Sequence, residues 1–466
     1  MFELAIILVY LLAMIAIGWI SKRNARRLDD FFVAGRKGST LFVTGSLLAT
    51  IIGASATLGM AGLGFTRGLT GAWWLLAGTV GLIILGLFFA RRVRNYGVYT
   101  LPQLAGKMYD NRVSIAASFF IVVAWEGVIA AQITATGQIM GLLGIGSPTL
   151  WIFICTGIFV FYTMIGGQYS VLRTDLVQII IIFVGILSGL VFLFVRIGGL
   201  STLTSALPSD YFAFPVSSKF TGLNLISTLL LVGSTYVVGP DMYSRLFCAR
   251  DAETARRSTL WAALLLIPMA FGITLIGMGA AILAPDIKAD QAFPTVVRQV
   301  YPPLISGIVL AALLSAVMSS ANTCLLSAST ILNMDIIGRF NNNLSEKQML
   351  NYSRTGIVIL GIGAMFLALE LKGIIPTIMW AYTIFTTGVI IPVAFGFFKD
   401  RLKLTSSGAL AAVIGGGLTG LSSKLFTGIK YLDLIAMAVA VVLLFSVSLI
   451  ENRVRTYRLA RIPKEA

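Results

Sequence analysis

The sequence predicts an all-α membrane protein with about 13 transmembrane helices, and three observations predict it. First, the 466 residues are 57% hydrophobic and 12% charged, whereas a soluble domain carries about 25% charged residues. Second, apolar runs recur from one end of the chain to the other, each close to the roughly 20 helical residues that cross a hydrocarbon layer. Third, the basic residues gather in alternate connections between those runs, as they do in the cytoplasmic loops of membrane proteins.

In order, the runs lie near 3–21, 40–64, 69–90, 113–142, 148–166, 172–195, 222–244, 259–284, 303–334, 352–371, 374–397, 406–423 and 431–450. The first is apolar enough for a signal peptide. It has no basic n-region and no small-residue cleavage site, so it reads as a retained helix. The second and seventh hold clusters of helix breakers, Ala49 to Gly59 and Gly233 to Asp241 with Gly239-Pro240. In lipid a broken helix is tolerated where its freed backbone groups are buried in protein or line a cavity. Interrupted helices at matching positions of two halves point to a midplane site between inverted repeats; close helix packing through small residues is the bland alternative. The expectation is one transmembrane transporter domain over 1–466. Its first repeat spans about 40–195 and its second about 222–397, with accessory helices at 3–21, 406–423 and 431–450.

The net charge of +16 would suit a nucleic-acid binder if the basic residues formed one surface. Their placement excludes that. Of the 35 lysines and arginines, 27 fall in one alternate set of connections, from Lys22 to Arg36, Arg91 to Arg112, Arg250 to Arg257 and onward to the C-terminus. That set is read as cytoplasmic, which places the N-terminus outside and the C-terminus inside a plasma membrane and requires an odd number of crossings. The partners implied are the lipid bilayer and a small solute, with no nucleic acid. There is no histidine, which removes the commonest proton shuttle and transition-metal ligand. Cys155, Cys248 and Cys324 are scattered through or beside apolar runs and form neither a disulfide framework nor a zinc site.

Candidate chemistry lies inside the spans. Ala316 to Thr323 carries Ser319, Ser320 and Thr323 on faces that a helix aligns at i and i+3; hydroxyls and unwound carbonyls together suit a monovalent cation, and intrahelical back-bonding is the plain alternative. Glu126, on a face with Ala130 and Thr134, reads as a cavity carboxylate, because a buried charge in a membrane is costly. Asp175 is either functional or a helix-start carboxylate. Asp241 and Arg245, four apart, read as a structural pair. Trp73, Trp74, Trp380 and Tyr382 are either interface anchors or walls of a pocket.

These residues resemble the sodium/solute symporter family, which includes the sodium/glucose, sodium/proline and sodium/sialic acid transporters. The likeness runs from about residue 3 to 397 and rests on Tyr99 to Gln103, Gly166-Gly167, Val171 to Gln178, Pro240 to Arg245 with Ala249-Arg250, Ala316 to Ser320, Ser327 to Thr330 and Met334-Asp335. It implies a LeuT-like fold of 5+5 inverted repeats and a sodium ion as the co-transported ion. Carried over residue by residue, the family's common sodium site falls on Ala49, Ile52, Ala316, Ser319 and Ser320. A second sodium site, which some members have, would use Asp175, Ser319, Asn322 and Thr323. The sugar contacts of the family correspond to Ala56 and Leu75, which disfavours hexose, and the acidic residue of the proline transporters corresponds to Ile51. Thr57, Trp74, Glu126, Thr235, Tyr236, Tyr382 and Thr386 are the candidate lining residues, suiting an amino acid, a monocarboxylate or a nitrogenous base. The expected activity is sodium-coupled symport by alternating access. A proton-coupled symporter of the same fold and a solute sensor without transport are the alternatives. The tail ends near Ala466 with little room for a kinase domain, and isolated carboxylates do not make an enzyme.

Overall fold

Inside hydrocarbon each backbone N–H and C=O must find its partner within the protein, so an apolar chain resolves into helices. The computed structural model describes residues 2–22, 27–340, 345–370, 373–422 and 432–460, and is helical nearly throughout. Arg23, Arg26, Arg461 and Lys464 of the set read as cytoplasmic, and Lys372, Lys424 and Lys430 of the opposite set, lie outside the described residues.

The principal helices are α1 (Phe2–Ser21), α2 (Thr40–Ile51), α3 (Ser55–Asn95), α4 (Asn111–Gly141), α5 (Pro148–Ile197), α6 (Gly222–Cys248), α7 (Ala252–Leu283), α8 (Pro303–Ile337), α9 (Glu346–Glu370), α10 (Ile374–Gly396), α11 (Ser406–Ser422) and α12 (Leu432–Ala460). Among the described residues ten of these are long and apolar enough to cross a membrane, and α2 and α11 are shorter apolar helices.

Local chemistry sets the starts and breaks. Asp110 opens α4 by accepting from the Arg112 and Val113 amides, Ser147 opens α5 ahead of Pro148, and Asp251 opens α7 by accepting from the Thr254 amide at 2.6 Å. These are preferred N-cap residues satisfying otherwise orphaned donors. A straight helix the length of α5 would run about 75 Å, far beyond a hydrocarbon core of about 30 Å. It is interrupted at Gly167 (φ 52°, ψ −147°), a backbone state open to glycine and strained for other residues. Likewise, α3 is interrupted by a tight turn at Gly68–Ala72.

Polarity is sorted to the centre. The most apolar window of α8 is 83% buried, against 28% for α12 and 33% for α1, so α8 is a central element and the terminal helices are peripheral. It packs on α4, α5 and α1. Its buried residues include Ser315, Ser319, Ser320, Asn322, Thr323, Ser327, Ser329 and Thr330. Such a polar stripe at the most enclosed position is costly unless it meets partners or a ligand.

Candidate functional site

The chain leaves helical geometry after Ile51: Ile52 has φ −82° and ψ 75°, and the helix resumes as a wide turn at Ser55–Gly59. Two neighbours satisfy the backbone groups this frees. The Ala54 amide donates to Gln132 Oε1 of α4 at 2.8 Å, and α8 supplies hydroxyls to the carbonyls. Ser319 Oγ donates to Ala49 O at 2.7 Å and to its own Ala316 O at 3.0 Å; Ser320 Oγ donates to Thr50 O at 2.6 Å. Thr50 Oγ1 and Thr323 Oγ1 are 3.2 Å apart. Ala49, Ala316 and Ser319 therefore converge, and Ser320 joins the same break one carbonyl further on. Ile52 is buried in the break itself.

Gly53 is pinched between these partners. A Cβ there would meet Ser320 Oγ and lie 2.9 Å from Gln132 Oε1. Gly53→Val is thus expected to abolish uptake while the protein still inserts, as judged by membrane expression against proteoliposome flux; full activity would refute the close approach.

Asp175, Asn322 and Thr323 are also buried nearby, but an arginine bonds the first and the last of them. Arg245, with no exposed surface, donates through Nε to Ser46 Oγ at 3.0 Å and through one terminal nitrogen to Ser244 Oγ at 3.0 Å. Its other terminal nitrogen reaches Asp175 Oδ2 at 3.4 Å and Thr323 Oγ1. Ser46 also donates to Asp175. Asn322 donates through Nδ2 to Tyr162 O–H at 2.8 Å, and its Oδ1 accepts from Thr323 Oγ1 at 3.4 Å. The reading of Arg245 as the partner of Asp241 is corrected: its carboxylate partner is Asp175 of α5. Arg245 points toward α2, α5 and α8, while Asp241 accepts from the Met242 amide at 3.1 Å in the first turn of the helix Pro240–Cys248.

The α6 chain breaks as α2 does, with Val238 at φ −132°, ψ 80° and Gly239 extended ahead of Pro240. Both breaks open on one narrow cavity of about 30 Å³, lined by Thr50, Ile51, Gly53 and Ser55 from the first, by Thr235, Tyr236, Asp241 and Met242 from the second, and by Trp125, Val128, Gln132, Ser320, Cys324 and Tyr382. Of the lining residues expected from the sequence, Thr235, Tyr236 and Tyr382 are there. Four are not. Thr57 back-bonds to Gly53 O at 2.8 Å, Trp74 and Thr386 are buried away from this cavity, and Glu126 faces α9. There its carboxylate approaches the position a Gly363 Cβ would take, and Thr134, two turns on, reaches Ala368 O at 3.3 Å. The other face of α4 is the one that lines the cavity, through Trp125, Val128 and Gln132, which share a face at i, i+3 and i+7. Asp241, Trp125 and Gln132 were missed as lining residues. The signals left unused were the Gly-Pro-Asp sequence for the first and, for the other two, a helical face shared with an amide.

The sodium:solute symporter family model matches residues 31–416. The sodium/glucose cotransporter of Vibrio parahaemolyticus is 25% identical, over 88% of this chain and 83% of that protein. The high-affinity proline transporter PutP of Bacillus subtilis (strain 168) is 26% identical, over 87% of this chain and 89% of that protein. Among solved structures, a Na+-coupled sialic acid symporter in a substrate-bound outward-open state matches with a TM-score of 0.84, covering 97% of this chain and 98% of its own, at 17% identity; that likeness is one of fold. The family and these relatives are transporters and not enzymes. On the extent of the family match, this multi-pass membrane protein belongs to the sodium:solute symporter family.

Proposed function

We propose that the protein is a sodium-coupled symporter that imports a small organic solute by alternating access. The observation that carries this is the Ser319 hydroxyl held between the Ala49 and Ala316 carbonyls across the α2 break, in a chain whose family and relatives are sodium symporters. Sodium would take the carbonyls of Ala49, Ile52 and Ala316 with the hydroxyls of Ser319 and Ser320, tying α2 to α8. The guanidinium of Arg245 on Asp175 disfavours a second sodium at Asp175, Asn322 and Thr323, since a fixed cation already neutralises that carboxylate.

Both helix breaks meeting at one cavity supports a pair of inverted repeats, about 40–195 and 222–397, with the interruptions at Gly68 and Gly167 dividing α3 and α5 into two crossings each. Counting α2 with the first part of α3 as one broken crossing, and α11 as one, gives the thirteen read from the sequence. The basic bias then sets the N-terminus outside and the C-terminus in the cytoplasm of a plasma membrane. Sodium binding on the outside holds the two repeats together and favours solute binding at the cavity, and rocking of one repeat against the other opens the inner path. By linkage each ligand tightens the other, and the membrane potential adds about 2.3 kcal/mol per inward charge per 100 mV.

The test is thermal stability of the purified full chain in sodium against potassium, with and without candidate solutes, followed by uptake into proteoliposomes under a sodium gradient. Sodium is expected to raise the melting temperature by mass action and to drive uptake of any solute that binds. Equal stability in both salts, with no sodium-driven flux, would sink the symporter reading.

A further inference from the structure

The charges around Arg245 do not balance. Two carboxylates lie close to it, Asp175 fully buried and Asp241 half-buried at the cavity wall, and the single guanidinium bonds to the first. Asp241 stands in the first turn of the helix Pro240–Cys248, where a carboxylate is stabilised by the helix N-terminus. That position accounts for one oxygen, Oδ1, which accepts from the Met242 amide at 3.1 Å. The other oxygen has no hydrogen-bond partner among the described residues, and Asp241 is the one acidic or basic residue lining the cavity. Arg245 acts on Asp241 through space and bonds Asp175 directly, so a bound cation would supply the direct partner that the Asp241 carboxylate lacks.

The walls match such a cation. Trp125, Tyr236 and Tyr382 line the same cavity, and aromatic faces attract ammonium groups, tryptophan most strongly. No lysine or arginine lines it to receive a carboxylate. Gln132 Oε1 is already engaged by the Ala54 amide at 2.8 Å, which leaves few acceptors for a polyhydroxylated solute. We infer that the transported solute carries a positively charged nitrogen, bound by the Asp241 carboxylate against the rings of Trp125, Tyr236 and Tyr382. This rests on the symporter reading above and names the chemical class of its solute.

Thermal shifts of the purified full chain decide it, with potassium replacing sodium because organic ammonium ions used as sodium substitutes are themselves candidate ligands. The probes are ammonium compounds paired with neutral counterparts of similar shape: choline with 3,3-dimethylbutan-1-ol, ethanolamine with propan-1-ol, and benzylamine with benzyl alcohol. Glucose and lactate complete the set. In sodium, at least one ammonium probe is expected to bind ten-fold or more tightly than its neutral counterpart, with no response to glucose or lactate. Asp241→Asn is expected to weaken that binding at least ten-fold and to leave the sodium response without solute unchanged. Should Asp241→Asn not fold, the wild-type comparison of paired probes decides alone. The inference is overturned if sodium stabilises the protein but no ammonium probe acts, if a neutral or anionic probe binds as well, or if Asp241→Asn keeps the ammonium affinity or shifts the sodium midpoint instead. Absence of any sodium effect in the wild-type protein would strike the symporter reading, a separate failure.

Discussion

Replacing Arg245 by methionine is expected to destabilise the protein by about 3–5 kcal/mol, the range for breaking a buried ion pair from one side. The loss has a definite origin. Arg245 has no exposed surface, and its guanidinium bonds Asp175, Ser46, Ser244 and Thr323. Methionine fills part of the volume but leaves Asp175 with the Ser46 hydroxyl and no counter-charge, and Asp175 Oδ1 already lacks a partner. Removing both charges is cheaper than removing one, so the double variant Arg245→Met, Asp175→Asn is expected to recover most of the loss in denaturation measured by tryptophan fluorescence. A double variant as unstable as the single changes summed would contradict the pairing. A second readout follows from the proposed single sodium. With the guanidinium gone, Asp175 and Thr323 become free to hold a cation, so sodium should stabilise Arg245→Met more than the native protein and with a steeper concentration dependence. Equal sodium dependence in both would mean that Arg245 is not what disfavours the second ion.

What the sequence disclosed depended on whether the signal was local. The interrupted stretches 49–59 and 233–241 were legible because glycine, small residues and Gly-Pro act on their own backbone, and α8 was legible because its hydroxyls are close in sequence. The partner of Arg245 was not. A four-residue spacing suggested Asp241, while the carboxylate it meets is 70 positions away on α5, a contact created by helix packing that no local rule contains. Glu126 misled for a related reason: an acidic residue within a span is a functional candidate by default, yet one step around the helix separates the α9 face from the cavity face that carries Trp125. The lining role of Asp241 was hidden by the same assumed pairing that gave it to Arg245. Where a side chain's role is decided by which neighbour its helix face meets, periodicity narrows the choice to a face and tertiary packing makes it.

Ser319→Ala is expected to raise the sodium concentration for half-maximal uptake about ten-fold, equivalent to about 1.4 kcal/mol. Three of the five proposed sodium ligands are backbone carbonyls that substitution cannot remove, so the two serines carry the test. Their hydroxyls are not equivalent. Ser319 Oγ bridges Ala49 O and Ala316 O, whereas Ser320 Oγ goes to Thr50 O, a carbonyl outside the proposed ligand set. Sodium requires the Ser319 hydroxyl to turn its lone pair toward the ion, so native binding gives up the one hydrogen bond that its single proton shares between the two carbonyls, a bond the alanine variant never made. This offsets part of the lost ligand and limits the affinity change. The same reasoning predicts that Ser319→Ala also lowers stability without sodium by about 1–3 kcal/mol, the cost of buried carbonyls left unpaired. A serine bonded only within its own helix separates the two effects: Ser118 back-bonds to Ser114 O at 2.8 Å, and Ser118→Ala should leave the sodium midpoint unchanged. If Ser319→Ala destabilises the protein yet keeps the native sodium midpoint, its hydroxyl is a strut between α2 and α8, and the sodium site must be sought elsewhere in the break.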